Sequence, residues 1–278
     1  ADNVTIDGDN PNTIGINRNL TITNGATNTT TYNSVIRIAT STAVTSANNI
    51  TIKNSILNGS ATGRNIATAT STTGSENTTF GIYCGGNGGA TATTAPTAIT
   101  SVTTNTAPAT TTINSLLLDN NTVNACARGI VFNGASTAVS TGITITNNLV
   151  GDQATVLSGA PPYTTPVTTV YTKAIFIAGT SAVNISGNTI KNNISYVATQ
   201  TNAIELNTAI GSGGVTISNN TITGVVCNTT STAFGIIVSS CASNPTISGN
   251  TISNIQKVSS TGAIAGIQTA FTGTSAVI

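Results

Sequence analysis

One short motif recurs along most of the 278-residue chain, and it limits the folds that this sequence can adopt. In order, the motif has an apolar residue, a polar residue, Ile or Leu, another polar residue, Asn or Gly, Asn, Thr and a final apolar residue. Clear copies are Val183–Ile190 and Val215–Ile222. Several copies lie about 30 residues apart, which is the size of one unit in a solenoid protein. The central residues of the eight copies are Ile6, Ile22, Ile52, Leu118, Ile145, Ile185, Ile217 and Ile247.

A second repeat falls between copies of the first. It has a small residue followed by an apolar, any and apolar residue, as in Ala174–Ile177 and Gly235–Val238. Both repeats alternate with period two and are rich in β-branched residues, which indicates short strands. A unit of several short strands cannot bury its own apolar face, but stacked units bury it together. We therefore predict an all-β fold: a single-stranded parallel β-helix (solenoid) of about eight coils, forming one domain over residues 1–278.

The first repeat also predicts two ladders that run along the solenoid axis. The eight central residues are expected to stack inside it as a core ladder. The Gly or Asn before each Asn suits a sharp corner, because both residue types tolerate left-handed backbone conformations. Stacked asparagines at that corner are expected to bond one another and nearby backbone groups. The predicted members of this Asn ladder are Asn121, Asn148, Asn188, Asn220 and Asn250.

The pattern Ile-x-Asn-Asn-Thr-Ile resembles the coil repeats of right-handed parallel β-helix proteins of the pectate-lyase-like superfamily. The resemblance extends from about Val4 to Thr269. It implies the fold rather than an activity, because that fold carries lyases, hydrolases, phage tailspikes, adhesins and structural proteins. The lack of a catalytic cluster favours its non-enzymatic, surface or structural branch.

Three insertions interrupt the period, at Ala61–Thr79, Gly85–Thr112 and Leu157–Tyr171. Insertions in solenoids are commonly loops that leave the coil at a corner and gather on one face. The last two loops support an alternative function, an adhesin or glycan-binding module that uses Tyr163 and Tyr171.

The composition argues against most catalytic chemistry, since only 5% of the residues are charged and there is no His. A hydrolase of this fold needs clustered carboxylates, whereas the seven acidic residues here are scattered. We expect no enzyme, no metal and no cofactor; a polysaccharide lyase or hydrolase using Asp119 and Asp152 is the third alternative. Lys173 has no acidic partner near it in the sequence. The eight basic residues are spread out, which argues against nucleic-acid binding, and no apolar run approaches membrane-helix length.

The second repeat places apolar side chains on the outside of the solenoid, at Tyr83, Val131, Phe176 and Ile237. An apolar stripe of this kind usually marks a contact. Either an insertion of the same chain or a second subunit covers it. Capping segments are not evident at Ala1 or Ile278, so both ends are expected to make axial contacts with another copy. The predicted function is that of a β-solenoid subunit that self-assembles into a filament, sheath or surface layer.

The chain starts Ala1-Asp2-Asn3 and contains no Met, which suggests a processed mature form or a segment of a longer chain. Its four cysteines lack the spacing of zinc or thioredoxin motifs. Cys227 and Cys241 are close enough in sequence to form a disulfide, and four buried thiols are the alternative. An even number of cysteines in a Thr- and Asn-rich chain favours an extracellular or cell-surface location.

Overall fold

The computed structural model describes residues 2–26, 32–41, 43–60, 79–87, 99, 107–154, 170–195, 200–208, 210–227, 230–258 and 261–269. These residues form 21 β-strands in three parallel sheets of seven strands each. The described part of the chain has no helix long and apolar enough to span a membrane. The fold is the parallel β-helix solenoid that the repeats predict.

Three successive strands make one coil, one strand for each sheet. Sheet A contains β1 (Val4–Asp7), β4 (Ser46–Lys53), β7 (Thr112–Asp119), β10 (Ile143–Thr146), β13 (Val183–Ser186), β16 (Val215–Ser218) and β19 (Thr246–Ser248). Sheet B contains β2 (Leu20–Thr23), β5 (Ser55–Asn58), β8 (Thr122–Asn124), β11 (Leu149–Gly151), β14 (Thr189–Ser195), β17 (Thr221–Cys227) and β20 (Thr251–Lys257). Sheet C contains β3 (Asn33–Thr40), β6 (Thr79–Asn87), β9 (Arg128–Asn133), β12 (Lys173–Ala178), β15 (Thr201–Leu206), β18 (Ala233–Val238) and β21 (Ile264–Thr269).

The described residues form seven coils, numbered from coil 1 (β1–β3) to coil 7 (β19–β21), rather than the eight predicted. The difference arises at Ile22, which was predicted to belong to the core ladder. Ile22 lies in sheet B and pairs in register with Leu57, whereas Ile6 in sheet A pairs with Ile52. The segment around Ile22 has the same alternation as the first repeat, but it follows Ile6 too closely to complete a coil. It forms the second side of coil 1.

The remaining seven central residues form one unbroken ladder in sheet A. Each is the register partner of the next, in the order Ile6, Ile52, Leu118, Ile145, Ile185, Ile217 and Ile247. From Ile52 to Ile247 these side chains are at most 1% exposed, and Ile6 is partly exposed in coil 1. Alternate positions face outward, as in β10 and β16. The interior is therefore a dry column of aliphatic side chains.

The corner between sheets A and B requires a left-handed residue in most coils. Asn147 and Asn219 have φ of 55° and 56° there, and Gly187 and Gly249 have φ of 68° and 64°. Asn and Gly are the residues that adopt this conformation at least cost. The Asn/Gly alternation in the first repeat is thus explained by the backbone.

The predicted insertions lie mostly outside the described residues, namely at 61–78, 88–98, 100–106 and 155–169. Their predicted limits shift slightly, because β6 begins at Thr79 and continues to Asn87. The first insertion therefore ends before Thr79, and the second begins after Asn87.

Candidate functional site

The five predicted asparagines form a continuous hydrogen-bonded ladder at the corner between sheets A and B. From Asn148 to Asn250, each Oδ1 accepts two hydrogen bonds from the preceding asparagine, one from its backbone N–H and one from its Nδ2 group, at 2.9–3.1 Å. Each Nδ2 also donates to the carbonyl oxygen of the core-ladder residue one coil earlier, at 2.8–3.0 Å. Ser55 extends the ladder into coil 2, where its N–H donates to Asn121 Oδ1 at 3.1 Å.

Burial makes this ladder a structural element rather than a binding surface. The first four asparagines are 0% exposed, and Asn250 in coil 7 is partly exposed. A buried amide has to satisfy its donors and acceptor within the protein. Here each interior side chain does so by joining two neighbouring coils, so the ladder couples the coils in series.

The outer face of sheet C is buried, which contradicts its predicted use as a lateral contact surface. Tyr83 and Val131 are 0% exposed, Phe176 is 1% exposed and Ile237 is 6% exposed. Sheet-C strands such as β9 and β18 are buried on both faces. The prediction that these four side chains contact another copy is therefore wrong. The alternative, that the same chain covers them, fits their burial.

Part of the cover is visible in the described residues. Ile99, which lies within the second predicted insertion, packs with Phe80, Tyr83 and Phe176 in a cluster separate from the solenoid interior. The Phe80 and Tyr83 rings meet edge to face, with their centroids 4.9 Å apart. Burial raises the pKa of Tyr83 to about 12, so its phenol is uncharged under ordinary conditions. Ile99 therefore adds an apolar contact on the outside of the solenoid.

A buried ion pair lies on the same outer face, between coils 4 and 5. Lys173 opens β12 and Glu205 lies in β15, and Lys173 Nζ contacts Glu205 Oε2. Their side chains are only 12% and 2% exposed. The expectation that Lys173 has no acidic partner is therefore wrong.

Two asparagines complete the coordination of the Glu205 carboxylate. Asn202 Nδ2 donates to Oε2 at 2.6 Å, and Asn207 Nδ2 donates to Oε1 at 2.7 Å. Arg128, which is 5% exposed, is the register partner of Lys173 on the other side, in β9. Lys173 Nζ also lies 5.4 Å from the centroid of the Phe176 ring. In a chain with so few charges, the side chains of Arg128, Lys173 and Glu205 thus form a buried group that interacts electrostatically.

The buried environment shifts the pKa of both Lys173 and Glu205. Burial lowers the pKa of Lys173 to about 8, although the nearby Glu205 carboxylate opposes this shift. Burial alone raises the pKa of Glu205, but the Lys173 charge and the hydrogen bonds from Lys173 and the two asparagines lower it below its ordinary value. An amine that loses its proton near neutral pH beside a carboxylate is a combination that can move protons.

An alignment of the second repeat between coils would have located this group. Ala174–Ile177 aligned with Ala203–Leu206 places Phe176 beside Glu205, and the structure has this register. The same alignment brings Lys173 beside Asn202. The proximity of Lys173 to this group could therefore be predicted by aligning the repeats, although Lys173 and Glu205 are far apart in the sequence.

The acidic residues of the third alternative lie on different sheets. Asp119 ends β7 in sheet A, where its Oδ1 accepts hydrogen bonds from Thr146 Oγ1 at 2.8 Å and Asn147 Nδ2 at 2.9 Å. Asp152 follows β11 of sheet B, and its Oδ1 accepts from the Ala154 N–H at 2.9 Å. The described residues contain no group of three or more His, Cys, Asp or Glu side chains that would hold a metal ion.

The other predicted site residues are only partly described. Cys227 and Cys241 are buried thiols that are not joined to each other, so the structure has the alternative to the predicted disulfide. Tyr171 is 2% exposed. Tyr163, Ala1 and Ile278 lie outside the described residues.

Exposed apolar side chains are concentrated at the two ends of the described solenoid. Val139, between β9 and β10, is the exception in the middle of the solenoid at 38%. The others belong to coil 1, to the turn after it, or to coil 7: Ile14, Ile16, Leu20, Val44, Val258 and Ile264. A cavity of about 220 Å³ lies inside coil 1 and is lined by Val4, Ile6, Ile36 and Ile38, with Ile50 and Ile52 of coil 2 beneath them.

The sheet edges at these ends carry no further strand among the described residues. β1, β2 and β3 pair only with coil 2, and β19, β20 and β21 pair only with coil 6. Such edges are sites at which another strand can add. Comparison of the chain with protein family models, with curated proteins and with solved structures gives no match.

Proposed function

We propose that this chain is a structural β-solenoid subunit, secreted or displayed at the cell surface, that assembles end to end into a stiff rod. Its role is mechanical rather than catalytic. The coil repeat supports placing it in a structural branch of the pectate-lyase-like superfamily. The observation that carries the proposal is the pair of open, apolar coil faces at the two ends of the described solenoid.

Strand addition at both ends preserves the geometry of all three sheets. Placing coil 7 of one copy on coil 1 of the next pairs β19 with β1, β20 with β2, and β21 with β3. These are the same parallel partnerships that join every other pair of neighbouring coils. The strands of each sheet stay parallel across the contact, so the second copy continues the solenoid of the first.

The side chains inside the two end coils are also complementary. The cavity in coil 1 is lined by aliphatic residues together with Arg37. The inward residues Ile252, Ile255 and Ile267 of coil 7 are only partly buried in a single copy. Filling an apolar cavity with apolar side chains removes both surfaces from water, which favours the contact by roughly 25 cal/mol per Å².

The two faces differ from each other, and this determines the form of the assembly. A contact between unlike faces is heterologous, and it propagates as an open filament unless a rotation closes it into a ring. Seven coils at a strand spacing of about 4.8 Å give an axial rise of about 34 Å per copy. The chain has eight basic and seven acidic residues, 15 charged residues in total. Because the charges are so few, we expect the stability of the rod to depend little on salt concentration.

Sedimentation velocity of the full chain over a range of concentrations, followed by negative-stain microscopy, tests the proposal. We expect rods whose length grows with concentration and whose repeat is close to the rise of one copy. Ile264→Lys, at a residue 48% exposed in coil 7, should abolish growth because it places a charge in the axial contact. Val139→Lys is the matched control, because Val139 is 38% exposed but lies away from both ends. A wild-type chain that stays monomeric at high concentration, or equal effects of the two variants, contradicts the proposal.

A further inference from the structure

The buried ion pair between coils 4 and 5 brings an amine and a side-chain amide onto one carboxylate oxygen. Lys173 and Asn202 are register partners in the adjacent parallel strands β12 and β15. Lys173 Nζ contacts Glu205 Oε2, and Asn202 Nδ2 donates to that same oxygen at 2.6 Å. Neighbouring strands are about 4.8 Å apart, so the two side chains need to cross only one strand spacing to meet.

The surroundings of Asn202 exclude water and leave its carbonyl group unused. Its side chain is 0% exposed, and its Oδ1 atom is buried and accepts no hydrogen bond. Its Nδ2 group, in contrast, is held by Glu205. A buried polar atom of this kind is uncommon in a folded protein and calls for an explanation.

The three groups have the roles that an amide exchange requires. An amine attacks a carbonyl only as the neutral base, and the lowered pKa of Lys173, about 8, makes that form accessible near neutral pH. Burial favours the neutral amine, whereas the pKa of Glu205 is lowered, so Glu205 stays a carboxylate that can accept a proton. Oε2 of Glu205 contacts both the attacking nitrogen and the nitrogen that would leave.

We propose that Lys173 and Asn202 react with each other to form an intramolecular isopeptide bond, with Glu205 as the proton carrier. The Lys173 Nζ lone pair forms a bond to Asn202 Cγ, and Glu205 Oε2 takes a proton from Nζ. The Cγ–Nδ2 bond then breaks, and Oε2 returns the proton to Nδ2, which leaves as ammonia. The products are a secondary amide, one ammonia molecule and the regenerated carboxylate, so no oxidant or cofactor is needed.

The bond would join coil 4 to coil 5 covalently through the outer face of sheet C. The inference does not depend on the proposed end-to-end assembly, since it concerns contacts within one copy. Asn207 provides a close control, because its Nδ2 also donates to Glu205 but to the other oxygen, Oε1. The geometry therefore distinguishes the reacting asparagine from a bystander on the same carboxylate.

Intact mass spectrometry of the full wild-type chain is the primary test. We expect a mass lower than that of the sequence by one ammonia molecule. Lys173→Arg, Asn202→Ala and Glu205→Gln should each restore the full mass calculated for the variant. Asn207→Ala should keep the deficit.

Trypsin digestion locates the bond and does not depend on how well a variant folds. The linked chain resists cleavage after Lys173, so residues 129–191 and 192–257 emerge as one joined product. An unlinked chain gives 129–173, 174–191 and 192–257 separately. Succinimide formation at Asn–Gly steps such as Asn133–Gly134 also releases ammonia, but mild alkali hydrolyses the succinimide to aspartate or isoaspartate, and no peptides are joined.

Recovery of the three separate peptides from wild type, with the full sequence mass, overturns the proposal. A deficit that survives in Asn202→Ala but disappears in Asn207→Ala also overturns it, because the other asparagine would then be the electrophile. A joined product that is present in wild type and Asn207→Ala, and absent from Lys173→Arg, supports it.

Discussion

Replacing Asn188 with Ala removes four hydrogen bonds of the Asn ladder, together with a longer bond of 3.3 Å from Nδ2 to the Ser186 carbonyl oxygen. Its Nδ2 donates to the Ile145 carbonyl and to Asn220 Oδ1, both at 2.9 Å. Its Oδ1 accepts from the backbone and side-chain nitrogens of Asn148, both at 3.0 Å. With a net value of about 1 kcal/mol for each bond, the free energy of unfolding should fall by about 4 kcal/mol. The loss is this large because water cannot reach the Asn148 N–H that remains.

Asn250→Ala is the matched control for this substitution. Asn250 has the same corner position in coil 7, but it is partly exposed and its side chain makes three ladder bonds. Water can replace these bonds, so we expect a loss of only about 1 kcal/mol. Urea unfolding followed by far-ultraviolet circular dichroism gives both values. If Asn188→Ala costs no more than Asn250→Ala, the ladder does not couple the coils and the reasoning is refuted.

Three further predictions concern packing, acidity and thiol chemistry. Gly129→Ala should lower the free energy of unfolding by about 2 kcal/mol, because the added Cβ would lie 2.5 Å from the Ala174 carbonyl oxygen. Gly266→Ala is the control: its Cβ would meet no atom within 4 Å, so the same urea assay should show no change. The pKa of Asp7 is lowered to about 2, first by the hydrogen bond from Asn54, so its stabilising effect is present above pH 3.8 and is lost as the pH falls through 2. By nuclear magnetic resonance titration, Asn54→Gly should raise that pKa more than Lys53→Gln does. A thiol reagent should modify none of the four buried cysteines in the native chain and all four in urea, and fewer than four in urea would indicate a disulfide.

Local sequence pattern was enough to predict the fold, because strand alternation and the Asn/Gly corner are properties of neighbouring residues. The ladder from Ile52 to Ile247 follows from a repeated face, and so does the stacking of Asn121 to Asn250. Ile22 shows the limit of this reasoning. Its surroundings match the first repeat, but only the path of the chain around coil 1 assigns it to sheet B.

The burial of the outer face of sheet C could be seen only in the tertiary structure. The alternation correctly placed Tyr83 and Phe176 outside the solenoid, but alternation does not report what lies against an outward side chain. The covering residue Ile99 comes from an insertion that has no repeat to align. The face that was predicted to contact another copy is therefore buried within the chain itself.

Sequence by itself determined which side chains point inward, which residues turn the corners, and that the coils stack in parallel. Tertiary structure decided what covers the outer face of sheet C and which side-chain atoms of Lys173, Asn202 and Glu205 contact one another. The physical reason is that alternation along a strand decides whether a side chain points inward or outward, and this needs only a few neighbouring residues. The contacts of outward side chains depend on where each insertion leaves and rejoins the solenoid.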